Sequence, residues 1–179
     1  MRRRDFLLAG LGFVAPGCAT RGLDLDVPYV PTPQPVVDAM LRLASVRHDD
    51  VVYDLGCGDG RVVITAARDF GARGVGIDID PRRIEEANAA ARSAGVSGRA
   101  RFAVQNLFSA DFSEATVLAL YLLPELNAKL LPKIRSELRP GARVVSHQFR
   151  IGDWQPERIE SAWFGERDHP LFLWIVPPR

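Results

Sequence analysis

The stretch VVYDLGCGDGRVVI, residues 51–64, sets three glycines at alternate positions between two apolar runs. A first run this short and this apolar suits a strand buried on both faces, and such strands belong to parallel sheets. The glycines then demand a tight turn, and the run after them carries apolar residues at helical spacing. Strand, glycine turn and helix in immediate succession commit the chain to a layered α/β architecture. They also put the turn where such folds bind ligands, at the carboxyl ends of the strands.

The alternation continues along the chain. Val36, Val37, Met40, Leu41 and Ala44 recur at helical spacing. Strands are expected over 51–55, 74–79, 101–104, 115–121 and 143–146, and helices over 60–70, 81–94 and 124–138. Asp80-Pro81 supplies a cap and a first-turn proline for the second of these helices. After GDWQP, segments 159–164 and 171–176 read as a terminal antiparallel pair joined by the turn-rich GERDHP. The expected fold is a doubly wound, mostly parallel, Rossmann-like seven-stranded sheet with a C-terminal antiparallel strand pair. A length of 179 residues is enough for one core. That domain is expected over 36–179, behind a proline-stiffened, extended lead-in over 20–35.

Residues 1–19 read differently. MRRRDFLLAGLGFVAPGCAT gives a basic start, a twin arginine at Arg3 and Arg4, and then a short apolar segment. This suits a twin-arginine export signal rather than a membrane span, with Cys18 where a lipidated cysteine would stand. Export to the cell envelope is the expectation, with possible membrane association through lipidated Cys18; a retained cytoplasmic N-terminus is the alternative. A formal net charge of +1 offers no nucleic-acid footprint. Cys57 is the only other cysteine, so neither a structural disulfide nor a metal site is expected.

The ligand is narrowed by what surrounds the glycines. The pattern is Gly56-x-Gly58-x-Gly60, but Arg61 occupies the position where a dinucleotide fingerprint would want its third glycine. Two acids end the flanking strands, Asp54 beside the loop and Asp78 further on. A carboxylate at the second place can accept from ribose hydroxyls. Together these describe a nucleoside with a cationic portion and no phosphates, which S-adenosylmethionine fits. Asp54 and Asp59 would face its ammonium and sulfonium end and Asp78 its ribose, while Asp80 reads as a helix cap. Asn106 stands where its side-chain oxygen could meet the adenine amine, with Leu107 against the ring; Asn106 as a plain turn residue is the competing reading.

These blocks resemble the class I seven-strand methyltransferases, and within them the small protein-lysine methyltransferases that include the mitochondrial enzyme acting on the c-type ring protein of ATP synthase. PYVPTP, YDLGCGDGRVVI, GVGIDIDP, NLFSADFSEATVLALYLLPELNAKLLPKI and LRPGARVVSHQFRIGDWQP carry the resemblance. It implies that Tyr29 and Thr32 fold over the cofactor and that Tyr121 to Pro124 border the acceptor channel. Departures are Asn106, where such enzymes often carry an acid, Gln148, where an acid is expected after SH, and Ala119, which replaces a polar residue.

Methyl transfer from a sulfonium is an in-line displacement, so holding donor and acceptor aligned is the chief task. A lysine acceptor must also lose a proton, and taking a pKa near 10.4 to working pH costs roughly 4 kcal/mol. An apolar channel offsets much of that by disfavouring the cation. ALYLLP suits such a channel, with Tyr121 as the catalytic residue orienting the amine; a buried strand end accounts for the same letters. His147 is a candidate base at the end of the fifth strand, or a structural residue. Trp154, Trp163 and Trp174 read as packing residues. Three functions follow: methyl transfer to a protein lysine, methyl transfer to a small molecule or lipid, and an exported cofactor-binding protein without turnover.

Overall fold

A computed structural model of the chain describes residues 30–178. The signal-like segment, Cys18 and Tyr29 therefore lie outside the described residues. Seven strands, β1(Val51–Leu55), β2(Arg73–Asp78), β3(Ala100–Val104), β4(Val117–Leu120), β5(Arg143–His147), β6(Arg158–Phe164) and β7(Arg167–Ile175), form one sheet. Four helices, α1(Gln34–Leu43), α2(Arg61–Asp69), α3(Pro81–Ser93) and α4(Pro124–Glu137), cover it. The strand order is β3-β2-β1-β4-β5-β7-β6, with β1 to β5 parallel and β7 antiparallel to both neighbours. The seven-stranded, mostly parallel α/β sheet with its antiparallel terminal pair is thus the architecture found.

Each central strand is apolar on both faces because each face meets a helix layer. Val51, Tyr53 and Leu55 of β1 join the cluster under α4, which includes Leu118, Leu120, Leu130, Ile134 and Trp174. Val52 faces the other way, into the cluster built from Val36, Val37, Met40 and Leu41 of α1 and Val62 and Ala66 of α2. From β1 the chain steps outward to β2 and β3, then returns to place β4 on the other side of β1. That reversal opens a crevice at the carboxyl ends of β1 and β4.

Boundaries differ from expectation at both ends. The first helix begins at Gln34, within the segment expected to be extended, because Pro35 sits in its first turn, where no backbone N–H is needed. β7 starts at Arg167, so the hairpin turn is shorter than GERDHP and His169 lies in a strand, paired with Ala162. Pro170 is tolerated there because β5 has ended: its carbonyl accepts from the Gln148 amide (2.8 Å), and no strand remains on that side to need its missing donor. Trp174 is wholly buried and its Nε1–H donates to the Trp154 carbonyl (2.8 Å). Trp163, by contrast, is 68% exposed on the edge strand and packs no core.

The amino-terminal rim is stapled by Asp50, which is buried. It accepts from the Arg47 amide (2.7 Å), the Thr116 hydroxyl (2.6 Å) and the Arg143 guanidinium, which also reaches the Ala44 and Ser45 carbonyls. Burial alone would raise the Asp50 pKa, but these donors outweigh it and hold the carboxyl below its ordinary range. A depressed pKa contributes stability that is present above the unfolded value and lost as pH falls through the folded one. Asp50→Ala leaves the half-buried Arg143 guanidinium without its counter-charge and should cost roughly 3 kcal/mol at pH 7. The urea midpoint measures this, and the gap from the unsubstituted protein should narrow as the pH falls below about 4.

Candidate active site

A cavity of about 310 Å³ opens at the carboxyl ends of β1, β2 and β4. Its floor is the glycine turn between β1 and α2. Gly56, Gly58 and Gly60 all have positive φ, at 79°, 52° and 78°. The turn is buckled to the end of β2, where the Ile77 carbonyl accepts from the Gly56 and Cys57 amides (2.8 and 3.0 Å). Asp78 completes the buckle: Oδ2 accepts from the Gly58 amide and Oδ1 from the Asp80 amide, both at 2.9 Å. Each of these oxygens keeps a second lone pair with which it can meet a hydroxyl in the cavity.

Gly60 does not line this cavity, contrary to expectation. A Cβ there would lie 2.6 Å from Phe102 Cε1 and 2.9 Å from the Ala87 Cβ. Its bareness therefore serves the close packing of the turn against α3 and β3 rather than a ligand.

Asp54 stands alone. It is 6% exposed, lines the cavity, and makes no hydrogen bond or ion pair with the described residues. Burial first, and then the Asp78 and Asp59 carboxylates, push its pKa up to about 7. Asp59 also lines the cavity, but its carboxylate is held by Arg61 through Nε (2.9 Å) and Nη2 (2.5 Å). It is thus not an open counter-charge as expected, because the residue two positions on supplies a bidentate cation. Arg61 also donates to the Thr32 carbonyl (2.7 Å), tying the lead-in down over the glycine turn. Thr32 is buried, and its hydroxyl meets His147 Nδ1 (3.2 Å).

His147 is wholly buried and does not line the cavity. Its Nε2 meets His169 Nδ1 at 2.9 Å. Burial, and secondarily His169, lower its pKa to about 4, so it stays neutral and bonded rather than serving as a base at working pH. Burial and the nearby carboxylates likewise push the Cys57 thiol far up, which leaves it unionised.

The remaining walls divide into two ends. Beyond Asp78, Ile79 and Leu107 give an apolar shelf, and Asn106 lines the cavity. Asn106 Oδ1 accepts from the Phe108 amide (2.8 Å), so the side chain makes a local turn, and only its second lone pair remains for a ligand. Asp80 caps α3 through the Arg82 amide (3.0 Å), as its sequence context predicts. At the other end Tyr121, Leu122, Leu123, Leu126 and Phe149 make an apolar wall. Tyr121 follows β4 directly, lies 4.0 Å from the His147 ring by centroids and stacks near Phe149. Its hydroxyl has no partner among the described residues, and burial raises its pKa, so the phenol stays protonated. Arg61, Ile79 and Phe149 had no assigned role from sequence. Only Arg61, next to the glycines, left a trace there.

The geometry fits an adenosyl compound with a cationic end: an unpaired buried carboxylate, a carboxylate at the end of β2 and an apolar shelf beyond it. Comparison with known proteins points the same way. The family model for the ANTKMT methyltransferase domain matches residues 54–158. A protein-lysine N-methyltransferase of Saccharolobus islandicus (strain REY15A) is 49% identical over 84% of this chain and 94% of its own length. The adenine nucleotide translocase lysine N-methyltransferase of Mus musculus is 34% identical over 80% of this chain, which spans 62% of that relative. A crystal structure described as an RNA methyltransferase from Salinibacter ruber, in complex with S-adenosyl-L-homocysteine, has a TM-score of 0.79 and 52% identity. It covers 84% of this chain and 95% of its own.

Asp54 makes the ligand-free site costly. Its folded pKa lies above the unfolded value near 3.9, so the folded state holds an extra proton between about pH 4 and 7. The ligand-free protein should therefore lose stability as pH rises through that window. Asp54→Asn should melt above the unsubstituted protein at pH 8, with the difference closing towards pH 4; equal melting temperatures at pH 8 would contradict the assignment.

Proposed function

We propose that this chain, which belongs to the ANTKMT methyltransferase family and is an S-adenosylmethionine-dependent methyltransferase, acts on the ε-amine of a protein lysine. The observation that carries the reading is the composition of the acceptor end. Tyr121, Leu122, Leu123, Leu126 and Phe149 present one phenol and no carboxylate. A lysine entering there loses water around its ammonium, and desolvation favours the neutral amine that a methyl acceptor must be. The lysine specificity of the relatives from Saccharolobus islandicus and Mus musculus supports the same acceptor.

The residues divide the work by position. Asp54 holds the ammonium of the cofactor, and Asp78 its ribose hydroxyls, while Gly56 and Gly58 let it lie against the backbone. Ile79 and Leu107 flank the base. Thr32, drawn down by Arg61, closes the lead-in over the cofactor. When bound, the cofactor supplies an electrophilic methyl on a sulfonium. The Tyr121 hydroxyl oxygen would accept from an amine N–H and so turn the lone pair towards the methyl, and the leucines keep water away. Because its pKa is raised, the phenol directs a hydrogen bond and does not remove the proton.

An RNA acceptor is the rival that the Salinibacter ruber relative's description raises, and a small molecule, a lipid or binding without turnover are the others. A net charge of +1 supplies little of the phosphate attraction that RNA binding draws on. We extend the proposal to the N-terminus: residues 1–19 act as a twin-arginine export signal, with Cys18 as the lipidation point.

Labelled methyl groups supplied with the protein to a cell extract, which is then split into protein, RNA and lipid, should appear on lysine after protein hydrolysis. Label in RNA or lipid, or tight S-adenosyl-L-homocysteine binding with no label anywhere, would overturn the lysine reading. Tyr121→Phe should lower kcat by up to about a hundred-fold and leave S-adenosyl-L-homocysteine affinity unchanged by calorimetry; full turnover would remove Tyr121 from the mechanism. Asp54→Asn should lose that affinity, and binding to the unsubstituted protein should weaken by up to about tenfold per pH unit below 7 as Asp54 protonates. Fractionation should find the protein in the envelope and Cys18→Ser no longer membrane-bound; unprocessed cytosolic protein would refute the export reading.

A further inference from the structure

The end of β5 carries a strained turn that sets the place of one ring at the cavity. Gln148 has φ 70°, and the Phe149 amide donates back to the His147 carbonyl (2.8 Å), which closes a γ-turn of the rare positive-φ kind. A side chain other than glycine persists in that region only when its surroundings over-determine it. They do so here. The Gln148 amide donates to the Pro170 carbonyl (2.8 Å), and the Ser146 hydroxyl to the Phe149 carbonyl (2.7 Å). The wholly buried Asn127 amide donates to the Arg150 carbonyl (3.2 Å), while its Oδ1 has no partner among the described residues.

The ring that the turn places is not a core residue, although Ile151 two residues on is wholly buried. Phe149 belongs to none of the buried clusters. It is half-buried, lines the cavity, and stands with its ring 6.2 Å from that of Tyr121 by centroids, the planes 15° apart. Tyr121 is in turn backed by the fixed ring of His147. Two near-parallel aromatic rings at the dry end of the cavity offer apolar surface to an alkyl stem and π faces to a methylated ammonium.

We propose that Phe149 is a specificity-determining residue: with Tyr121 it forms the aromatic wall that receives the alkyl stem of the lysine, and the γ-turn at Gln148 holds it there. This rests on the lysine reading above. The cofactor is met by other residues, so Phe149 acts on the acceptor alone.

The test uses the full chain and N-acetyl-lysine methylamide as acceptor probe. Phe149→Ala should raise the KM for this probe tenfold or more, with S-adenosyl-L-homocysteine affinity within about twofold of the unsubstituted protein by calorimetry. Gln148→Gly keeps the positive-φ turn at lower cost, so it should leave the same KM unchanged while the melting temperature holds or rises. Should Phe149→Ala not fold, Phe149→Leu decides by the same KM comparison. Unchanged KM and kcat in the Phe149 variant overturn the proposal, as does a loss of cofactor affinity that matches the loss of turnover. Failure of the lysine reading shows separately, as label that the unsubstituted protein puts into the RNA or lipid of a cell extract and not onto lysine.

Discussion

Asp54 is a buried carboxylate with no partner among the described residues, and the arrangement around it is suited to a cation. Burial against the sheet disfavours its charge. Asp78 and Asp59 add like charge from nearby, and together these push the Asp54 pKa to about 7. A buried site that disfavours its own charge gains most when a positive ligand arrives, since the ligand relieves desolvation and repulsion at once. Asp59 escapes the same strain because Arg61 neutralises it, and Arg61 in doing so fastens Thr32. The counter-charge that is paired becomes a latch; the one left unpaired becomes the binding site.

The cavity's two ends do different chemistry because they lie on opposite sides of the strand-order reversal. β2 and its neighbours contribute Asp78, Ile79 and Leu107, a polar hook and an apolar shelf suited to a nucleoside. β4 and β5 contribute Tyr121 and Phe149, which suit an alkylamine. Between them the glycine turn brings bare backbone to the cavity. Positioning of this kind accounts for methyl transfer without a general base, in agreement with the buried, neutral His147, which sits behind the wall and steadies both Tyr121 and Thr32.

What could be read from the chain was whatever is local. The apolar runs, the alternating glycines, Asp54 and Asp78 at strand ends and the Asp80-Pro81 cap depend on neighbours within a few residues, so they specify the α/β layers and a nucleoside with a cationic end. The remainder needed contacts made across the chain. Asp59 and Arg61 are two positions apart, but the further bond from Arg61 to the Thr32 carbonyl joins segments that lie apart in the chain. Gly60 resembles its neighbours in sequence, and only Phe102, some forty positions on, shows that it faces packing instead of ligand. Nothing in GERDHP shows that β7 runs back to Arg167, because Pro170 is permitted only where β5 has ended. Phe149 is one phenylalanine among nine in the sequence, and its place in the wall follows from the turn at Gln148, held by Ser146 within β5 and by Asn127 and Pro170 from two other segments. Sequence therefore determined the elements and the kind of ligand, since those are set by periodicity and by acids at strand ends; the tertiary structure decided which acid stays unpaired among the described residues and which rings line the far end of the cavity, since contacts between distant segments set those distances.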